Sequence, residues 1–199
     1  MNTGRLLVQG GAALVGTALL AAAMWLYDLT PEVESRQLDP IRDTGRIGQI
    51  VTNPRFSVQV QRVAAARSLA SATPRTRPPV RTEGVFLIVH ARATSKREPL
   101  RLQTAQLETP GGYVFRKDPR PSVSLGPDPT FQPLIWDETA FVFELPPRRL
   151  AGARLVVGEG GLLPQLSAAA EIDLGLTRSR AADLIRRAAE NYDLRAATS

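Results

Sequence analysis

The first pattern along the chain is an apolar run with no charged side chain, from Leu6 to Tyr27. Gln9, Thr17, Gly10, Gly11 and Gly16 are its only interruptions among Leu, Val and Ala, before Met24 and the closing Trp25-Leu26-Tyr27. At 1.5 Å per helical residue such a run reaches about 30 Å, the thickness of a bilayer's hydrocarbon core. Trp25 and Tyr27 stand where an aromatic pair would meet the headgroups. The run predicts a transmembrane anchor over residues 6–27. The rival reading is a cleaved signal peptide with Ala21-Ala22-Ala23 as its small-residue site, although the run exceeds the usual core of about 7–15 residues.

The flanks set the orientation. Residues 1–5 carry Arg5 and the terminal amine, whereas the other flank holds Asp28, Glu32, Glu34, Asp39 and Asp43 against Arg36 and Arg42. Positive charge stays on the cytoplasmic side, so the bulk of the chain is expected outside, on the cell membrane's extracytoplasmic face. Residues 28–44, broken by Pro31 and Pro40, read as an acidic tether.

From Gly45 the period changes to two. Ile47, Gln49 and Val51 alternate with Gly48 and Ile50. After the turn signal Asn53-Pro54, Phe56, Val58 and Val60 alternate with Ser57, Gln59 and Gln61, as in a strand with one buried face. Residues 67–81 read as a long basic loop, with Arg67, Arg75, Arg77 and Arg81 among Ser, Thr and Pro. Residues 84–91 are apolar on both faces, which places a strand in the middle of a sheet. Alternation returns over Pro99–Leu107. Thr109-Pro110-Gly111-Gly112 supplies a hairpin turn into Tyr113-Val114-Phe115. After a Pro-rich connection at 116–133, Glu138–Glu144 puts Phe141 and Phe143 on one face. Residues 153–157 and 170–174 supply two last strands. Phe86, Ile88, Phe141 and Phe143 are expected between the sheets.

Helical spacing appears only at the end. Thr177 is a candidate cap for a helix carrying Ala181, Leu184, Ile185, Ala188 and Tyr192 on one face and arginines on the other. Roughly seven or eight short strands followed by one helix predict a mainly β fold: an antiparallel immunoglobulin-like β-sandwich over residues 45–176, with an amphipathic helix at 177–199.

The strand order and the runs F-S-V-Q-V, G-V-F-L-I-V-H-A-R-A-T, E-P-L-R-L, T-A-F-V-F-E-L-P, A-R-L-V-V-G and E-I-D-L-G-L carry a resemblance. Residues 45–176 resemble the membrane-anchored, immunoglobulin-like envelope domains of actinobacteria, related in shape to the telokin-like secreted immunogenic antigen of mycobacteria. The resemblance implies a fold and a location, and brings no catalytic residues. The Cys-Trp-Cys core of antibody domains is absent.

Composition narrows the chemistry. The chain has no Cys, which rules out disulfides, thiolate nucleophiles and Cys-based metal sites, and its 16 Pro and 15 Gly suit many turns. The net charge is +6, and Lys96 and Lys117 are the only lysines among 25 basic residues. Arg-rich coding in a GC-rich genome explains this bias; attraction to anionic lipid or acidic wall polymers is the functional alternative. No nucleic-acid recognition motif is present.

His90 is the sole histidine and lies on an apolar strand, so a packing role is expected; alone it builds no multi-histidine metal site. Asp118, Asp128, Asp137 and Glu138 flank two connections, as solvated charges or as a candidate acid pair. Gly158-Glu159-Gly160-Gly161 lacks the Lys-Ser/Thr of a phosphate loop. No cofactor is implied. The candidate partner contacts are Arg67, Arg75, Arg77 and Arg81, an apolar patch of Phe131 and Trp136 with Leu134, and the stripe Leu184, Ile185 and Tyr192. These residues favour a non-catalytic accessory subunit that binds a membrane or envelope protein. An envelope enzyme using the loop carboxylates, or a lipid-binding domain between the sheets, are the alternatives.

Overall fold

The computed structural model describes residues 42–70, 79–120, 128–160 and 167–194. The expected anchor at 6–27 and most of the tether lie outside them. Among the described residues no helix is long and apolar enough to cross a membrane.

Among the described residues ten strands form two sheets. In chain order they are β1 (Arg42–Arg46), β2 (Ile50–Thr52), β3 (Phe56–Ala70), β4 (Val80–Ser95), β5 (Thr104–Thr109), β6 (Tyr113–Arg116), β7 (Asp137–Leu145), β8 (Arg154–Gly158), β9 (Ala169–Asp173) and β10 (Tyr192–Asp193). One helix, α1 (Arg178–Arg186), precedes β10. The first sheet has the order β1-β9-β8-β5-β6, the second β10-β3-β4-β7 with β2 on β3. The β-sandwich expected from the alternation is present.

Two details of that expectation change. The sandwich starts at Arg42, so residues 42–44 are strand and not tether. The sheets are also not wholly antiparallel: β1 pairs with β9 in parallel, and β10 pairs with β3 in parallel. Parallel neighbours need a long crossover, and in both pairs the intervening domain supplies it.

The core follows the register. Leu87 stands opposite Phe143 and Val89 opposite Phe141, and all four face the first sheet's Leu107, Leu155, Val157 and Ile172. Strand β4 is central, flanked by β3 and β7, as its two apolar faces require. Phe86 and Ile88, however, lie on its other face. They join Ala66, Leu69, Ala140, Val142 and Leu194 in a second cluster outside the sandwich interior. The expectation that all four aromatic and aliphatic side chains share one core is corrected by this parity: successive strand residues point to opposite faces.

The C-terminal segment covers that outer cluster. Thr177 caps α1 by accepting from the Arg180 backbone N–H, as its position predicts. The helix ends at Arg186, well before Tyr192. The chain then runs along β3: Ala189 N–H donates to Ala65 O at 2.9 Å and Arg67 N–H to Ala189 O at 2.8 Å. Beyond β2, the long β3 has an open edge whose backbone groups need partners, and this segment supplies them.

The expected loop at 67–81 is shorter than its polarity suggests. Arg67 belongs to β3 and Arg81 to β4, where Arg81 pairs with Ser68 across a register shift. Residues 71–78, including Arg75 and Arg77, lie outside the described residues.

Candidate partner-binding surface

Strands β3 and β7 begin, and β4 ends, at one end of the second sheet. Gly158 of β8 and Ala169 of β9 are paired there in the first sheet, and Arg42 of β1 is paired with Ala169. A shared ion cluster joins the two sheets at this end: Arg55, in the turn before β3, meets Glu159 just after β8 at 2.8 Å and Glu98 just after β4 at 2.7 Å. Hydrogen bonding from Glu159 leads the effects that hold the Arg55 guanidinium above its ordinary pKa. The end where β1 begins is thus also the end that carries the β4–β5 connection and the approach to β7.

Leu134, Ile135 and Trp136 lie in that approach, with fractional exposures of 81 %, 60 % and 37 %. Leu134 adopts φ 64°, in the left-handed region that non-glycine side chains avoid. The backbone around it is tied down. Leu134 N–H donates to Ser95 O, Ser95 N–H donates to Gln132 O, and Pro133 bridges to Ser95. Thr94 Oγ1 adds a bond to Gln132 O. The Arg92 guanidinium carbon sits 4.9 Å from the centre of the Trp136 ring, and Arg92 Nε donates to Gln59 Oε1 at 2.8 Å.

Phe131, expected in the same exposed patch, is instead 1 % exposed. It exchanges backbone hydrogen bonds with Leu100 and packs in the main core. Phe131 therefore anchors the loop from below, while Leu134, Ile135 and Trp136 stand out from it. Sequence pattern alone could not separate them, because this irregular stretch has no period.

The other candidate contacts fall elsewhere. Arg67 is exposed and reaches Glu190 at 3.4 Å. Leu184 and Ile185 are half-buried against the main core, so the domain itself covers that part of the helix stripe. Tyr192 is on β10, not on the helix, and its hydroxyl meets His90 Nε2 at 2.9 Å. Arg81 lines an open cleft of about 640 Å³ at the opposite end, with Thr82, Gly84, Arg120, Glu144 and Leu145. Arg120 is engaged by Glu144 there, and Thr82 Oγ1 donates to the same carboxylate at 2.5 Å. A Cβ at Gly84 would lie 2.6 Å from Leu145 O, which keeps this position to glycine.

Asp118 and Asp128 lie near one another beside Lys117, and burial, with Asp128 adding to it, holds the Asp118 carboxyl above its ordinary pKa despite the Lys117 charge. Asp128 pairs with Lys117 at 2.5 Å, and Glu138 stands opposite Arg92 in the β4–β7 register. Among the described residues no group of three or more His, Asp or Glu side chains could hold a metal ion. The space between the sheets is filled by side chains such as Phe56, Leu87, Leu107, Phe143 and Leu155, each fully buried.

The outer face of the first sheet is polar and cross-linked. Arg42 Nη1 bonds Glu108 at 2.9 Å and Glu171 at 3.3 Å, and Arg154 also reaches Glu171. Burial opposes the Arg42 charge, but the two carboxylates outweigh it and hold the guanidinium above its ordinary pKa.

No known protein family matches the chain, and no curated protein matches it. Solved structures do show likeness. An uncharacterized β-sandwich protein from Clostridium difficile 630 is similar over 67 % of this chain and 95 % of its own, at 11 % identity and a TM-score of 0.40. The yjhA protein from Bacillus subtilis is similar over 65 % of this chain and 99 % of its own, at 10 % identity and a TM-score of 0.46. A putative lipoprotein, ycdA, from Bacillus subtilis is similar over 62 % of this chain and 38 % of its own, at 16 % identity and a TM-score of 0.39.

Proposed function

We propose that this chain is a non-catalytic, membrane-anchored cell-envelope protein whose extracytoplasmic β-sandwich works by binding, as an accessory subunit of a membrane complex. The observation that carries the reading is the exposed Leu134-Ile135-Trp136 run at the end of the sandwich where β1 begins. Contiguous exposed apolar side chains mark a contact surface. An apolar tip held by backbone hydrogen bonds suits a domain that works by contact. The apolar run at 6–27 supports the anchor, and the resemblance to actinobacterial envelope domains of telokin-like shape agrees with the location.

Two measurements test this. Protease added outside spheroplasts should digest the domain, and the intact mass should retain residues 1–23. A mature protein starting at Met24 overturns the anchor. Purification of the full chain in mild detergent, followed by mass spectrometry, should recover a stoichiometric membrane partner. Recovery of the chain alone, across several mild detergents, overturns the accessory-subunit reading.

A further inference from the structure

We propose that Leu134, Ile135 and Trp136 form a lipid-contacting tip that enters the headgroup–acyl boundary of a bilayer. The inference rests on the membrane-anchored reading above and names what the tip meets.

Connectivity brings the tip within range of a bilayer. Arg42, the first residue of β1, stands at the same end of the sandwich as the tip. The chain from Asp28 to Ile41 separates it from the apolar run and could span at most roughly 50 Å if extended. A segment of that length lets the tip reach a bilayer that holds the apolar run.

The chemistry of the tip fits an interface. Leu134 and Ile135 are purely apolar and among the most exposed large side chains described. Trp136 follows them, and tryptophan is enriched where an apolar ring body meets a wet boundary. Its ring is stacked by Arg92, whose long stem can lie along an apolar layer with the guanidinium at phosphate level. Lys96 and Arg97 are exposed in the connection after β4, next in sequence to Ser95, which bonds the tip's backbone. Acids are present too. Glu98 and Glu159 are engaged by Arg55, Glu138 stands opposite Arg92, and Asp137 begins β7. The balance is close to even, so burial of apolar side chains is the main attraction. Anionic lipid is not required.

The local backbone is built for display. Two backbone hydrogen bonds to Ser95 and the Thr94 hydroxyl hold the segment while Leu134 is kept in a left-handed conformation. An apolar side chain at 81 % exposure on a strained, well-tied backbone gains nothing from the domain's own core.

The test uses the full chain with Trp25→Phe, which leaves Trp136 as the sole tryptophan. It is reconstituted into phosphatidylcholine vesicles, with and without phosphatidylglycerol, and checked by flotation. The expected result is loss of Trp136 emission with brominated phosphatidylcholine, protection from aqueous iodide, and a blue-shifted maximum in both lipid mixtures. Adding Ile135→Asp should return the emission to iodide-accessible, red-shifted values while the melting temperature holds. A floating chain whose Trp136 is open to iodide and insensitive to brominated lipid overturns the inference and leaves the anchor standing. Shielding that appears only when a co-purified protein is added back overturns it in favour of a protein contact. A chain that does not float with the vesicles overturns both.

Discussion

The hydroxyl of Tyr192 meets Nε2 of His90 at 2.9 Å, tying the C-terminal segment to the central strand of the second sheet. His90 is 5 % exposed on the outer face of β4, in the same strand as Phe86 and Ile88. The sole imidazole of the chain is therefore bonded beneath the segment that closes over the outer apolar cluster. Tyr192→Phe keeps the ring and removes the bond. A loss of about 1 kcal/mol is expected from chemical denaturation. No change in the midpoint would mean that the bond contributes nothing to closure.

The two apolar faces of β4 should respond differently to truncation. Phe143→Ala opens a cavity between the sheets and should cost about 3–5 kcal/mol. Phe86→Ala should cost a comparable amount only while the C-terminal segment is in place. In a chain cut before Arg178, Phe86 has lost Leu194 as a neighbour, and its substitution should cost markedly less. A double-mutant comparison of melting curves reads the coupling. Additive losses would show that the segment does not cover Phe86.

Arg42 is the hub of the ion cluster on the first sheet. Arg42→Ala leaves Glu108 and Glu171 side by side without their shared cation, and a loss of about 1–2 kcal/mol is expected. Arg42→Met keeps the packing of the stem and should cost nearly as much. The measurement is urea unfolding at low and high salt. The deficit should shrink as salt screens the facing carboxylates.

Leu134 offers a test in the opposite direction. Glycine accepts φ 64° without penalty, so Leu134→Gly should leave the domain as stable or raise its stability by about 0.5–1 kcal/mol. Lipid contact should weaken in the same variant. A clear loss of stability would mean that Leu134 packs on the domain after all.

Much of this arrangement was legible in the residues, and the gaps have physical causes. The continuous apolar run at 84–91 predicts a central strand because only a strand covered on both faces can be so apolar. Thr177 predicts the start of α1 because its hydroxyl meets the orphan amide of Arg180. The end of the helix was not legible. Ala188 and Tyr192 continue the helical spacing, but the open edge of β3, formed by residues distant in sequence, captures that stretch as backbone partner. The burial of Phe131 escapes the pattern for a related reason. Its burial comes from a bridge to Leu100, and nothing local to residues 128–136 signals it. The division between Phe86 and Phe141 needs the β4–β7 register, which alternation within each strand leaves open.

The parallel pairing of β1 with β9 also dictates an order of events during folding. Arg42 finds its neighbour Ala169 only after the intervening strands have been made and brought together. Contacts between such distant residues form late, because a long loop must close first. The other parallel pair imposes the same delay from the far end, since Tyr192 must find Leu69. One edge of each sheet is thus sealed last, by β1 and by β10. Until then the open flank of β9 and the outer apolar cluster are exposed to other chains. The vulnerable period for aggregation is the interval before these two closures, and a chaperone that shields those edges would act in that interval.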